Sequence, residues 1–291
     1  MSSQAARTRS YRRVLGGLLV GLAFALLALL GFTSSGSLAA NGCPGYGYGY
    51  GYGYGYGYCP PPPTPTSLTL TPATAVNTVD EQHCVTATVR DQFGDPMASV
   101  VVRFRVTGSV TTSGTRTTNA AGQAEFCYTG PGLPGGDVIT AYADTDNDNV
   151  NDPPPNDPED TAAKTWVIPA STEGCKVSYG GRITAANGDK ATFGGSAKAY
   201  GPQGEEEYQD QGPAANLNVH SINVQAVTCS RDGTQASIFG TATVNGGGSF
   251  DYRIDLQDLG EPGTTDTYRI RLSNGYDSGV KVLSGGNVQL H

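Results

Sequence analysis

The chain has 291 residues, a formal net charge of −8, only 15% charged residues, 41 Gly and 18 Pro. That length holds one or two domains plus tails, and such dense Gly and Pro punctuation excludes an architecture of long helices. The acidic balance argues against a nucleic-acid partner, because phosphate binding needs clustered Lys and Arg.

Residues 1–40 read as an export signal. Arg7, Arg9, Arg12 and Arg13 precede an apolar run over 14–32, and Ser37, Ala39 and Ala40 supply a small-residue cleavage site. The run is long for a signal, so an uncleaved anchor is the competing interpretation. The Arg12-Arg13 pair leaves the twin-arginine and general export routes both open. No second apolar run follows, so no transmembrane segment is expected beyond the signal, and the protein is expected to be secreted or at the cell surface.

Residues 41–65 form an arm. Positions 45–58 are seven Gly-Tyr dipeptides carrying Tyr46, Tyr48, Tyr50, Tyr52, Tyr54, Tyr56 and Tyr58. Strict alternation would put every Tyr on one face of a strand, but a lone Gly-rich ribbon has no partner to bury that face, so disorder is expected. The phenols offer stacking and hydrogen bonding to an extracellular protein or polysaccharide surface, or to another copy of the arm. A bland spacer is the alternative. The prolines at 60–63 and Pro65 make a stiff extended linker.

Residues 66–169 alternate with period two. Leu68 and Leu70 open the pattern, followed by Val85, Ala87 and Val89, then Val100, Val102, Phe104 and Val106. Ala124, Phe126 and Tyr128 come next, then Ile139, Ala141 and Ala143, and a last run near 161–168 contains Trp166. Turn-rich stretches separate these runs, which predicts a β-sandwich of six or seven strands. The segments Val89-Arg-Asp-Gln-Phe-Gly-Asp-Pro96, Val102-Arg-Phe104, Thr118-Asn-Ala-Ala-Gly-Gln-Ala124 and Ile139-Thr-Ala-Tyr-Ala-Asp144 resemble the bacterial Ig-like domain of the invasin/intimin type. That resemblance implies an extracellular spacer or adhesive module.

An even count of six cysteines in an exported chain reads as disulfides. Many pairings are open, and the module boundaries favour Cys43–Cys59, Cys84–Cys127 and Cys175–Cys229. Cys84 and Cys127 fall out of phase with the apolar positions around them. Their bridge is therefore expected on an outer face, and the Ig-like resemblance implies that the two strands are neighbours in one sheet.

The segment from Asp144 to Asp152 places acidic side chains at relative positions 1, 3, 5 and 9 (Asp144, Asp146, Asp148, Asp152), with the Val150 carbonyl at 7. Hard oxygens at this spacing match the first part of a calcium loop. Asn149 stands where the turn Gly would be, and Asn tolerates the left-handed conformation. Prolines at 153–155 displace the closing Glu, so Asp157, Glu159 or Asp160 would have to complete the shell. A structural Ca2+ and a solvated acidic turn are the two interpretations.

Residues 173–291 also alternate, with Phe250, Tyr252, Ile254 and Leu256 on one face and Tyr268, Ile270 and Leu272 on another. Gly clusters at 180–181, 194–195, 246–248 and 285–286 are read as turns, and Glu205, Glu206, Glu207 and Asp210 as a solvated loop. A second small β-sandwich or partly open barrel is expected. The segments Tyr179-Gly-Gly-Arg-Ile183, Ala191-Thr-Phe-Gly-Gly195, Ala236-Ser-Ile-Phe-Gly240, the Gly260-Glu-Pro-Gly263 turn with its flanks, and the last seven residues from Gly285 look like the post-COAP domain. That domain is a C-terminal module of bacterial exported proteins, and the resemblance implies location more than chemistry. Asp255, Asp258, Glu261 and Asp266 around the turn suggest either a second cation site or bracing by side-chain-to-backbone hydrogen bonds.

The predicted whole is all-β: a disordered arm, an Ig-like sandwich and a second β-domain. His83, His220 and His291 fit no zinc motif, and no nucleophile elbow occurs, so a non-catalytic adhesin or binding protein with a calcium loop is expected. A matrix component self-associating through the Gly-Tyr repeat, and an accessory protein of carbohydrate processing, are the rival readings.

Overall fold

The computed structural model describes residues 61–152 and 156–291. The export segment, the Gly-Tyr tyrosines and the Cys43–Cys59 pair lie outside the described residues. Among the described residues no helix is long and apolar enough to cross a membrane.

Eight strands build the first module: β1 (Pro65–Thr71), β2 (Thr74–Thr78), β3 (Gln82–Asp91), β4 (Val101–Gly108), β5 (Thr112–Thr117), β6 (Gln123–Thr129), β7 (Gly135–Ala143) and β8 (Glu159–Val167). They form a three-stranded sheet, β1-β3-β6, and a five-stranded sheet, β2-β8-β7-β4-β5. The inward residues are those the alternation selects. Val85, Ala87, Val89, Phe126 and Tyr128 face Val102, Phe104, Val106, Ile139 and Trp166, all at most 6% exposed. Phe104 stacks on Phe126 at 5.1 Å between centroids. Each such large apolar side chain contributes about 1.5–3 kcal/mol by leaving water. Strands β2 and β5 go beyond the sequence reading. Both lie at sheet edges, and the stretch Thr112–Thr117 contains no apolar residue to mark it.

Cys84 and Cys127 stand directly opposite each other in the β3–β6 pair and are bridged, with Cα atoms 4.0 Å apart. Both are half-buried and alternate with buried neighbours, which puts the bridge on the sheet's outer face.

The second module is one nine-stranded sheet. Its strands are β9 (Lys176–Thr184), β10 (Lys190–Lys198), β11 (Gln203–Gln211), β12 (Asn216–Cys229), β13 (Gln235–Val244), β14 (Gly247–Gln257), β15 (Thr267–Leu272), β16 (Lys281–Val282) and β17 (Gly285–Leu290). Neighbours in sequence pair antiparallel from β9 to β16, and β17 returns to pair with β9. The two outermost strands are thus consecutive in the chain. Between them Leu283 donates to the Asp266 carbonyl and Ser284 to the Arg182 carbonyl. The sheet therefore curls around one core into a partly closed barrel, and Cys175–Cys229 is bridged beside it.

Two expectations change here. Gly180, Gly181, Gly194 and Gly195 lie inside β9 and β10, Gly285 and Gly286 open β17, and Gly247 and Gly248 open β14; only Gly246 lies in a turn. These glycines permit close strand approach where the sheet curls. A Cβ on Gly181 would lie 2.5 Å from the Gly285 carbonyl oxygen, and one on Gly195 would lie 2.4 Å from that of Glu205. The expected solvated loop around Glu205–Glu207 is instead strand β11, with Glu206 and Asp210 at 3% and 0% exposure. Its alternation Glu206, Tyr208, Asp210 is an inward face that carries polar tips, which a reading based on apolar residues passes over.

Residues 62–291 form one compact unit. A bulge between Val224 and Ala226 lets Val227 point into the barrel while Ala226 points out. Ala226 and its cross-strand partner Phe239 join the core of the sandwich.

Candidate functional site

The acidic loop leaves β7 at Asp144. Asp144, Asp146 and Asp148 converge, with one carboxylate oxygen from each lying within 4.8 Å of the others. The loop folds by local bonding: the Asp148 amide donates to Asp146 Oδ1 at 3.2 Å and the Val150 amide to Asp148 Oδ1 at 2.7 Å. Asn147 and Asn149 take positive φ angles of 62° and 69°. Asp144 has no exposed side-chain surface; its Oδ2 pairs with Arg103 at 2.5 Å, and its Oδ1 is buried without a partner.

Asp157 is buried, and both its oxygens accept backbone amides, from Thr145 and Asp152, at 3.0 Å. Glu159 accepts from the Asn151 side chain, and Asp160 from the Leu70 amide at 2.9 Å. Val150 is 53% exposed. Asp152 is held above the usual carboxylate range by desolvation and then by Asp148, Asp146 and Asp157. Each of the three residues expected to complete the shell accepts at least one hydrogen bond, Asp157 and Glu159 from the loop itself and Asp160 from β1. Part of the counter-charge at Asp144 comes from Arg103.

Beside this loop, a groove of about 730 Å³ runs over the outer face of β4, β5 and β7. Arg103, Arg105, Thr115, Thr140 and Tyr142 line it, with Asn149 of the loop at its edge. The Tyr142 hydroxyl donates to the Asn149 carbonyl at 3.3 Å, tying groove to loop. Burial pushes the Tyr142 phenol up, so it stays a neutral donor.

The Gly260–Gly263 turn holds no collected acidic site. Asp266 accepts from the Leu259 and Val288 amides at 2.9 Å each, and Asp258 from Gly260 and Leu290. Glu261 accepts from Asn287 and Gln289, while Asp255 pairs with Arg253 and Arg271. Asp258, Glu261 and Asp266 thus brace the turn against β17.

Inside the barrel, the Tyr268 hydroxyl donates to Glu206 Oε1 at 2.6 Å, and Tyr276 and Asn187 donate to Asp210 Oδ2 at 2.7 and 2.8 Å. Glu206 Oε2 and the Tyr179 hydroxyl make no hydrogen bond of ordinary geometry. Both would lie 2.7 Å from a Cβ on Gly195, so glycine there leaves them room. Desolvation pushes the Glu206 carboxyl up to about 8.

No family model matches the chain, and no curated protein matches it. Among solved structures it is similar to invasin, a bacterial integrin-binding protein, at 17% identity and a TM-score of 0.30, over 73% of this chain and 47% of that one. It is also similar to domains 5-6 of the S-layer protein SbsC, at 11% identity and a TM-score of 0.25, over 76% of this chain and 97% of that one. The chain thus spans about half the length of the invasin structure.

Proposed function

We propose that the chain is an exported, non-catalytic β-module protein that acts at the cell surface or outside it as an adhesin, holding an extracellular protein or polysaccharide surface. The groove on the five-stranded sheet carries this reading. The sheet presents Tyr142 as an aromatic face and the Arg103 and Arg105 guanidiniums as donors among threonine hydroxyls, a set suited to sugar rings or to carboxylate-bearing polymers. A structural Ca2+ held by Asp144, Asp146 and Asp148 would fix the loop at the groove's edge. Supporting it are the three converging carboxylates and the unpartnered, buried Asp144 Oδ1. The seven tyrosines of the arm support a second reading, a matrix component that self-associates through them.

A glycan and matrix-protein array probed with the secreted chain separates these readings. Binding lost in Tyr142→Ala with Arg105→Ala, but kept when residues 43–59 are deleted, is the outcome expected of the groove. Self-association lost on that deletion, with no array signal from the intact chain, would replace the adhesin reading with the matrix one.

A further inference from the structure

Lys164 occupies a position where a lysine is costly. It follows the core register of β8, in which Ala162, Lys164 and Trp166 are buried and Ala163 and Thr165 are exposed. Lys164 is 2% exposed, and among the described residues it forms no ion pair. An unpaired buried ammonium costs several kcal/mol, a penalty relieved when the group sheds its proton. Desolvation accordingly lowers the Lys164 pKa.

The amine is aimed at an amide. Its Nζ lies 2.8 Å from Asn77 Oδ1 and 3.1 Å from the Thr165 carbonyl, and sits 4.1 Å over the Trp166 ring. Asn77 lies on β2, which runs parallel to β8 and places Asn77 opposite Trp166. The other end of the same amide, Nδ2, donates to Glu81 Oε2 at 3.1 Å, and the Thr78 amide fixes that carboxylate at 3.1 Å. These two bonds, Asn77 first, hold Glu81 below its ordinary range and so ionised. One side-chain amide therefore has an amine at its oxygen and a carboxylate base at its nitrogen.

We propose that Lys164 and Asn77 join in an intramolecular amide crosslink. Rotation of the Asn77 side chain turns the face of the amide to the amine. The Nζ lone pair then forms a bond to Asn77 Cγ, and the Cγ–Nδ2 bond breaks with its electron pair leaving on Nδ2. Glu81 takes the proton that Nζ gives up and delivers it to Nδ2, which departs as ammonia. Nothing is oxidised or reduced, and no co-reactant enters. The bond links the second strand of the sandwich to its last. Tension between the arm and the barrel would pass from Asn77 to Lys164, and the strands between them would carry none.

Mass spectrometry of the reduced, secreted full chain tests this. The intact mass is expected to fall below the sequence mass of the processed chain by one ammonia, and a protease digest to yield one branched peptide joining the segments that hold Asn77 and Lys164. Glu81 is exposed, so Glu81→Gln should keep the fold and carry the full sequence mass. Unbranched Asn77 and Lys164 peptides in the wild-type digest would overturn the crosslink. A branched peptide at wild-type yield in Glu81→Gln would overturn the part given to Glu81.

Discussion

Arg253 of the barrel donates to Asp80 of the sandwich. The same guanidinium reaches the Gly132 carbonyl at 3.3 Å, is held from behind by Asp255 at 2.6 Å, and lies 5.1 Å over the Phe239 ring. Phe239 is 2% exposed and belongs to the sandwich core although it grows from β13. The two modules are therefore joined by a capped apolar plug rather than by a free linker, and a binding face on one is held in fixed relation to the other.

Removing the plug should uncouple them. Phe239→Ala deletes a buried ring, a change that costs about 3–5 kcal/mol. Calorimetry is expected to show one cooperative transition in the wild type and two in the variant. Arg253→Met should lower the midpoint less, because the ring stays covered. An unchanged single transition in Phe239→Ala would mean that the contact does not couple the modules.

Each bridge staples its own module, across 43 residues for Cys84–Cys127 and 54 for Cys175–Cys229. Closing loops of that size is worth roughly 4 kcal/mol in the chain-entropy model. Replacing Cys84 and Cys127 by Ala should destabilise the sandwich by about that amount, and replacing Cys175 and Cys229 the barrel. Denaturant titrations of the two double variants, followed by Trp166 emission for the sandwich, check which module responds.

The sandwich core was legible because Val102, Phe104 and Val106 alternate with charged and polar partners, and a half-buried strand imposes that pattern. Lys164 breaks the pattern: it sits in a core register while its composition says surface, so only the fold reveals it. Glu206 and Asp210 were misread for the same reason, since polar residues on an inner face carry no apolar period. The Gly pairs misled because the residue that permits a turn also permits two strands to approach closely, as Gly181 does beside Gly285. Asp144, Asp146 and Asp148 were legible from spacing alone, whereas the engagement of Asp157 by backbone amides depends on how the loop closes.

The acidic loop gives a test with two distinct outcomes. If Ca2+ binds at Asp144, Asp146 and Asp148, a chelator should lower the melting temperature. The stabilisation lost is about 2.7 kcal/mol when free calcium stands a hundredfold above its Kd, and Asp146→Ala with Asp148→Ala should abolish the effect. Arg103→Ala then frees Asp144 Oδ2 and should tighten calcium binding, as read by calorimetric titration. Without an ion, the same variant leaves a buried carboxylate unpaired and should cost about 3–5 kcal/mol whether calcium is present or absent.

Glu206 should make the barrel's stability fall as pH rises. Its carboxyl is raised from 4.5 to about 8 by burial, so the folded state holds a proton that the unfolded state has released. The stabilising contribution is full below about pH 4.5 and is lost progressively as pH climbs through about 8. Tyr268 still finds an acceptor in Glu206→Gln, and the new amide can donate towards Tyr179. That variant should flatten the dependence and exceed the wild type above pH 8 by up to something on the order of 4 kcal/mol. Urea midpoints collected across this range decide it. Parallel curves for the two proteins would mean that Glu206 titrates as it does in water, and that the interior polar cluster is open to solvent.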